Sequence, residues 1–174
     1  MTESCAIIIP AISINEDVQK CVNECLAQKK IKTSIYLITN KKVSQKLKIK
    51  KVKYLHFGDV NISKKRNIAV KKCKDNYIAF IDSDAYPTKN WVFNGIQLLK
   101  KNKKISIITG PDLPFPNQKG WSFYIGLAHK SFLLSGEKVF RKNLKKEMIC
   151  SQASSCNMIL RKKDFLKVGG MDEN

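Results

Sequence analysis

The sequence lacks both a long apolar segment and a recognisable leader. No run of apolar residues reaches the roughly 18–20 that a helix needs to cross a bilayer. The first ten residues, from Met1 to Pro10, include Glu3 but no cluster of basic residues. They are therefore typical of a first β-strand and not of a signal peptide. We expect a cytoplasmic protein whose 174 residues form one domain.

Paired cysteines are also missing. None of the six forms a Cys-x-x-Cys pair or shows a spacing typical of a zinc site. Cys21 and Cys25 lie four residues apart in an apolar pattern with Val18, Val22 and Leu26, which predicts the buried face of a helix. Because thiols stay reduced in the cytosol, we predict free, buried cysteines.

Arginine is scarce although the chain is strongly basic. Only Arg66, Arg141 and Arg161 are arginines among the 33 basic residues, and the net charge is +19. Readers of nucleic acid depend on the planar guanidinium fork, so we do not expect a nucleic-acid partner. Two interpretations of the lysines stay open: a solvated surface, or attraction to an anionic membrane or substrate.

Apolar runs alternate with helical patterns along the chain, which predicts an α/β fold. We expect a mainly parallel sheet with helices on both faces. The predicted strands are Cys5–Pro10, Ser34–Thr39, Val52–Phe57, Tyr77–Ile81, Ile105–Thr109 and Ser155–Leu160. The predicted helices are one capped by Asn15, one capped by Ser63 and ending at Lys72, one through Trp91 and Leu99, and the segments Trp121–Leu134 and Lys163–Val168.

Two carboxylates follow the most apolar central strand. Tyr77–Ile81 is succeeded by Asp82, Ser83 and Asp84, and residues i and i+2 of an extended chain point the same way. Ligands bind at the carboxyl ends of strands in open α/β sheets. Two oxygen-donating side chains there suit a hard divalent cation that also binds phosphate oxygens. The motif thus predicts a metal–diphosphate site; the alternative is a solvated Asp-Ser-Asp turn.

The order of several short motifs resembles glycosyltransferase family 2, with the GT-A fold, over about residues 5–174. The matching landmarks are Ile7–Pro10, Asn15-Glu16, Lys65–Ala69, Ile81–Asp84 with Pro87 and Trp91-Val92, Cys156–Lys162 and Val168–Glu173. A lone Asp-x-Asp motif occurs by chance in many proteins. Six motifs in the family's order and at family-like spacing are far more specific.

This resemblance implies a nucleotide-diphospho-sugar donor of the UDP or GDP type, a divalent cation (Mn or Mg) and a glycan or lipid-linked acceptor of the cell envelope. It also implies sugar transfer with inversion. Asp84 would ligate the metal, while Asp82 would lie near the ribose or bind the metal through water. The implied nucleotide-binding positions are Pro10, Ala11, Glu16, Asn40, Arg66, Asp82 and Ser83, and Asn157 and Asp172 are candidates for the sugar or acceptor side. Two alternatives stay open: Lys65 and Arg66 form a solvated helical turn, and Asn157 only satisfies backbone groups.

The chain departs from the family pattern in two places. The family usually has Asp-Asp-Gly-Ser after the second strand, whereas this chain has Thr39-Asn40-Lys41-Lys42. Asn40 can bond a base edge, but the carboxylate preference for a uracil N–H is lost, so the nucleotide is left open. The chain also ends at Asn174, and we expect the general base beyond it. Residues 1–110 would form the nucleotide-sugar half and residues 111–174 the start of the acceptor half.

Two other functions compete with sugar transfer. A sugar nucleotidyltransferase needs a glycine-rich loop after its first strand, and Pro10–Glu16 contains no glycine. A non-enzymatic basic module that binds nucleic acid or an anionic membrane would interleave exposed aromatic and basic residues. Here the aromatic residues lie mainly in apolar strands and in the segment Trp121–Phe132. That segment is either a core helix or a surface that meets a lipidic acceptor, which would hold the protein at the inner face of the membrane.

Overall fold

The computed structural model describes residues 3–113, 119–128, 147–150 and 152–174. Six strands form one sheet in the order β3-β2-β1-β4-β6-β5. They are β1 Ser4–Pro10, β2 Lys32–Thr39, β3 Val52–His56, β4 Tyr77–Ile81, β5 Ile107–Thr109 and β6 Asn157–Arg161. All neighbouring pairs from β3 to β4 are parallel, and β6 runs antiparallel to both β4 and β5.

The central strand β1 is buried on both faces, which explains its continuous apolar sequence. Cys5, Ile7 and Ile9 belong to one core cluster, while Ala6 and Ile8 belong to the other. This alternation is the two-residue period of an extended strand.

Helices cover both faces of the sheet, as the alternating pattern predicts. The described helices are α1 Glu16–Leu26, α2 Ile62–Lys72, α3 Trp91–Lys101, α4 Trp121–Ala128 and α5 Lys162–Lys167, with a 3₁₀ turn at Gln45–Leu47. The helices α1 and α3 pack on the face of Ile7, and α2 and α5 pack on the face of Ile8. Asn15 caps α1 as predicted, since its side chain accepts a hydrogen bond of 2.9 Å from the Val18 amide.

Some predicted boundaries are wrong. Asn61, not Ser63, caps α2, because the Asn61 side chain accepts from the Lys64 amide at 2.8 Å. The strand predicted from Ile105 begins at Ile107, since the Ile105 carbonyl accepts from the Arg161 guanidinium and leaves the ladder. The strand β6 and the helix α5 are also displaced by one or two residues from their predicted positions. Residues 129–134 of the predicted fourth helix, with His129, lie outside the described residues.

The predicted free, buried cysteines are confirmed for Cys5, Cys21, Cys25 and Cys73. Cys150 and Cys156 are free but only half-buried. Across the described ranges, no helix combines the length and the apolar character needed to cross a bilayer.

Candidate functional site

The carboxyl ends of the parallel strands lie side by side at one end of the sheet, here called the carboxyl end. Pro10 pairs with Ile38 near the ends of β1 and β2, and Thr39 pairs with His56 at the ends of β2 and β3. The antiparallel strand β6 begins at this same end, because Asn157 pairs with Ile81. The loops after four parallel strands and the start of β6 therefore meet in one region.

Arg66 and Asp82 form an ion pair at the carboxyl end. The Nη2 atom of Arg66 lies 2.6 Å from Oδ1 of Asp82, and their side chains are 3% and 38% exposed. The guanidinium also lies over the ring of Phe80, 5.7 Å from its centroid. The interpretation of Lys65 and Arg66 as a solvated helical turn is wrong, because both side chains are buried.

Burial dominates the electrostatics of this pair. Desolvation raises the pKa of Asp82, and the Arg66 charge opposes that rise while the charges of Asp84 and Asp112 add to it. Desolvation also lowers the pKa of Arg66, and the Asp82 carboxylate opposes that change. Asp82 therefore lies in a partly dry region that favours a nearby cation.

The turn after β4 presents Asp84 to solvent. The Ala85 amide donates to the Asp82 carbonyl at 3.1 Å and closes the turn around half-buried Ser83. Asp84 is exposed. Within the described ranges, no group of three or more His, Cys, Asp or Glu side chains converges as a metal cluster. The carboxylates of Asp82 and Asp84 thus offer a partial, oxygen-only ligand set.

Two further residues border Asp82 that sequence reasoning missed. Asp112 follows β5, and its charge acts on Asp82. Cys156 precedes β6, and its burial, together with the charges of Asp82 and Asp112, raises its pKa to about 11. No local motif marks Asp112, and the landmark Cys156–Lys162 assigned no role to Cys156, because the proximity of both residues to Asp82 depends on the antiparallel insertion of β6 beside β4.

A second polar network connects the ends of β1, β2 and β3. The buried Lys65 ammonium donates to the Ala11 carbonyl at 3.0 Å and to Oδ1 of Asn40. The Nδ2 atom of Asn40 donates to Oδ1 of Asp59 at 2.8 Å. Burial lowers the pKa of Lys65, and the Asp59 charge partly opposes that shift. Asp59 was absent from the predicted site, although its position just after β3 marks the same end of the sheet.

The other predicted residues have different environments. Pro10 and Ala11 are buried at the end of β1, and Glu16 is exposed in the first turn of α1. The Glu16 side chain makes no hydrogen bond or ion pair with a described residue. The structure brings Pro10, Ala11, Asn40, Arg66 and the Asp82–Asp84 turn to the carboxyl end.

Asn157 is held by its neighbours, which supports its structural interpretation. Its Oδ1 accepts from the Trp91 indole at 2.7 Å, and its Nδ2 donates to the Pro111 carbonyl at 3.2 Å. A Cβ on Gly110 would lie 2.8 Å from that Nδ2 atom. The amide thus locks α3 and the loop after β5 onto β6.

The segment after α5 is fastened to α2. The Asn67 side chain accepts from the Met171 amide at 2.9 Å, and it donates to the Met171 carbonyl and to Oε1 of Glu173, each at 2.8 Å. Asp172 accepts from the Asn174 amide at 3.0 Å. Since Asn67 follows Arg66 directly, this segment lies on the helix that supplies the ion pair.

The family model described as "Glycosyl transferase family 2" matches residues 6–169. No curated protein sequence matches the chain. The similar solved structures include S. aureus TarS 1-349, with 15% identity and a TM-score of 0.69 over 100% of this chain and 51% of that chain. They also include TarS 1-349 in complex with UDP, with 16% identity and a TM-score of 0.69 over 99% of this chain and 51% of that one.

A third similar structure is the mannosyltransferase PcManGT from Pyrobaculum calidifontis in complex with GDP-Man and Mn²⁺. It is 10% identical, with a TM-score of 0.69 over 100% of this chain and 49% of its own. The present chain thus spans about half the length of the structures it matches. Identities this low establish a shared fold and nothing finer.

Proposed function

Because the chain belongs to glycosyltransferase family 2, we propose that the carboxyl end of its sheet binds a nucleotide-diphospho-sugar together with a divalent cation. The sugar is transferred, with inversion, to a glycan or lipid-linked acceptor. The observation that carries this proposal is the pair of buried Arg66 with half-buried Asp82, beside exposed Asp84. Family membership favours sugar transfer over the nucleotidyltransferase and the basic module.

The residues present fit a hard divalent cation such as Mn²⁺ or Mg²⁺. Asp84 and the second oxygen of Asp82 provide carboxylate ligands, and one or two carboxylates plus phosphate oxygens and water are a common ligand set for Mg²⁺. When bound, such an ion neutralises the charge that develops on the departing nucleoside diphosphate.

The chain's own residues have distinct proposed tasks. Arg66 fixes the orientation of Asp82 and places a positive charge near the proposed diphosphate. Pro10 and Ala11 border the nucleobase, and Ser83 lies between the two carboxylates. Asp172 remains a candidate for the acceptor side.

The donor is proposed to be a UDP- or GDP-sugar. Structures similar to this chain are complexes with UDP, with UDP-GlcNAc and with GDP-Man and Mn²⁺, all carried by other proteins of the same fold. Since the chain spans about half the length of those proteins, the proposal for these residues is donor binding without full transfer activity of their own.

We further propose a cytoplasmic location with contact to the inner face of an anionic membrane. Its support is the net charge of +19 together with the exposed apolar side chains of α4, namely Trp121, Phe123, Tyr124 and Ile125.

Thermal unfolding with UDP- and GDP-sugars, with and without Mn²⁺, tests the donor site. A ligand at about 100 times its Kd stabilises the fold by about 2.7 kcal/mol, which corresponds to about 5–10 °C in Tm for a domain of this size. We expect that shift for the wild type with nucleotide and metal, and its loss in Asp84→Asn.

Glu24→Gln is the matched control, because Glu24 lies in the last turn of α1, toward the opposite end of the sheet. This variant should keep the full ligand response. A folded wild-type protein that responds to no nucleotide sugar, with or without Mn²⁺, contradicts the proposed function.

A further inference from the structure

Asp59 lies where the acidic residue after β2 is missing from the sequence. The strand β3 ends at His56, which pairs with Thr39 at the end of β2. Gly58 then adopts φ +72°, a left-handed conformation that glycine reaches without strain. This turn brings Asp59 back toward Asn40, the first residue after β2, and the two side chains meet at 2.8 Å.

The hydrogen bonds around Asn40 determine which groups are left for a ligand. Its Oδ1 accepts from the buried Lys65 ammonium, and one N–H of its Nδ2 donates to Oδ1 of Asp59. The amide orientation is therefore fixed, because the ammonium can only donate and the carboxylate can only accept. The second N–H of Asn40 and Oδ2 of Asp59 have no hydrogen-bond partner among the described residues.

An exposed apolar residue is tied to the backbone of Asn40. The Asn40 amide donates to the Ile12 carbonyl at 3.1 Å, so the loop after β1 is tied to the end of β2. The Ile12 side chain is 75% exposed. A flat ring with one polar edge and apolar faces matches this combination of an exposed aliphatic side chain, a donor and an anionic acceptor.

We propose that Asp59, held in place by Asn40, reads the edge of the donor's nucleobase by accepting its ring N–H. This inference rests on the proposed function and narrows its substrate class. Uracil N3–H, and guanine N1–H with its exocyclic amino group, present the donor that a carboxylate requires. Cytosine and adenine present a ring-nitrogen lone pair at the same position, which a carboxylate repels.

The loop Thr39-Asn40-Lys41-Lys42 then does not abolish carboxylate recognition of the base. The carboxylate that this loop lacks is supplied by the loop after β3, and Asn40 acts as the residue that positions it. Lys65 in turn fixes Asn40. The selectivity for a base with a ring N–H, such as uracil or guanine, is thereby retained through a different residue.

Isothermal titration of the full chain with UDP, CDP, GDP and ADP in Mn²⁺ buffer tests the inference. UDP and CDP have bases of the same ring size, as do GDP and ADP. The ratio of the Kd values within each pair therefore reports the hydrogen-bonding edge of the base and not its size. We expect at least one of UDP and GDP to bind about tenfold to a hundredfold more tightly than its size-matched partner. In Asp59→Asn that ratio should fall to within about threefold, because an amide can present either a donor or an acceptor.

The matched control is Glu24→Gln, which should keep the wild-type ratio, and circular dichroism verifies that each variant folds. If Asp59→Asn keeps the wild-type ratio, or if the wild type prefers CDP and ADP, the role of Asp59 is refuted while the donor site stands. If the folded wild type binds none of the four nucleotides, the proposed function itself fails and this inference falls with it.

Discussion

Replacing Arg66 with methionine should destabilise the protein in a pH-dependent way. Methionine retains the apolar contact with Phe80 but removes the positive charge that lies 2.6 Å from Asp82. Breaking a fully buried pair costs about 3–5 kcal/mol. Since the Asp82 side chain is 38% exposed, solvent screens part of this loss. We expect about 1–3 kcal/mol near neutral pH, or a Tm lower by about 3–10 °C.

The sign of the pH dependence follows from Asp82. Burial raises its pKa in the folded protein, even against the opposing charge of Arg66. Ionising Asp82 therefore costs stability as the pH rises through that pKa, and removing Arg66 raises the pKa further. The loss caused by Arg66→Met should be smaller at acid pH, where Asp82 takes up its proton, and larger at neutral pH, because the raised pKa makes Asp82 lose its proton at a higher pH than an unperturbed aspartate.

Urea unfolding of the wild type and Arg66→Met at several pH values measures this difference. Adding Asp82→Asn to Arg66→Met should recover most of the lost free energy at neutral pH, because no half-buried carboxylate is left unpaired. The exposed Lys100–Glu3 pair, at 3.0 Å, provides a control, and Lys100→Met should cost less than about 1 kcal/mol. A loss from Arg66→Met that is equal at acid and neutral pH, or larger at acid pH, would refute the reasoning.

Two smaller predictions concern backbone conformation and thiol reactivity. Gly169 and Gly170 have φ of +85° and +95°, but only a Cβ on Gly170 would lie close to another residue, 2.7 Å from Oδ1 of Asn67. Both Gly169→Ala and Gly170→Ala should lower the free energy of unfolding through backbone strain, and Gly170→Ala should lower it by about 1 kcal/mol or more beyond that shared loss. Equal losses in the two variants, measured by thermal unfolding, would show that the Asn67 side chain moves aside without cost. The pKa of Cys156 is raised to about 11. Because the thiolate is the reactive form, the rate of Cys156 alkylation by iodoacetamide should rise about tenfold per pH unit between about pH 7 and 10. Peptide mass spectrometry measures this rate, and a rate that does not change with pH in that range would contradict the raised pKa.

The elements that carry strong local signals were predictable from the sequence. The five apolar residues of β4 and the i, i+3, i+4 pattern of α1 each define a buried surface without help from the rest of the chain. The α/β class, the helices on both faces and the position of Asp82 and Asp84 directly after β4 follow from them, whereas the turn that these two residues adopt in place of an extended segment does not. Boundaries were less accurate where a tertiary contact intervened, as at Ile105, whose carbonyl is taken by Arg161.

The partners within the site were not predictable in the same way. Asp59 and Asn40 are 19 residues apart, and Arg66 and Asp82 are 16 apart. Each pair forms only because β2, β3 and β4 end at the same level of the sheet. The sequence motifs include Arg66 and Asp82 separately but do not indicate that the two side chains are in contact. No motif includes Asp59.

The position of β6 has a consequence for how the molecule is assembled. This strand is encoded after the other five, yet it lies between β4 and β5. During synthesis from the amino terminus, β5 has no neighbour and β4 has one bare edge until residues 157–161 emerge. An exposed apolar strand edge attracts other chains. The strand β6 therefore completes the sheet of the described residues, and the nascent protein is most prone to aggregation just before residues 157–161 emerge.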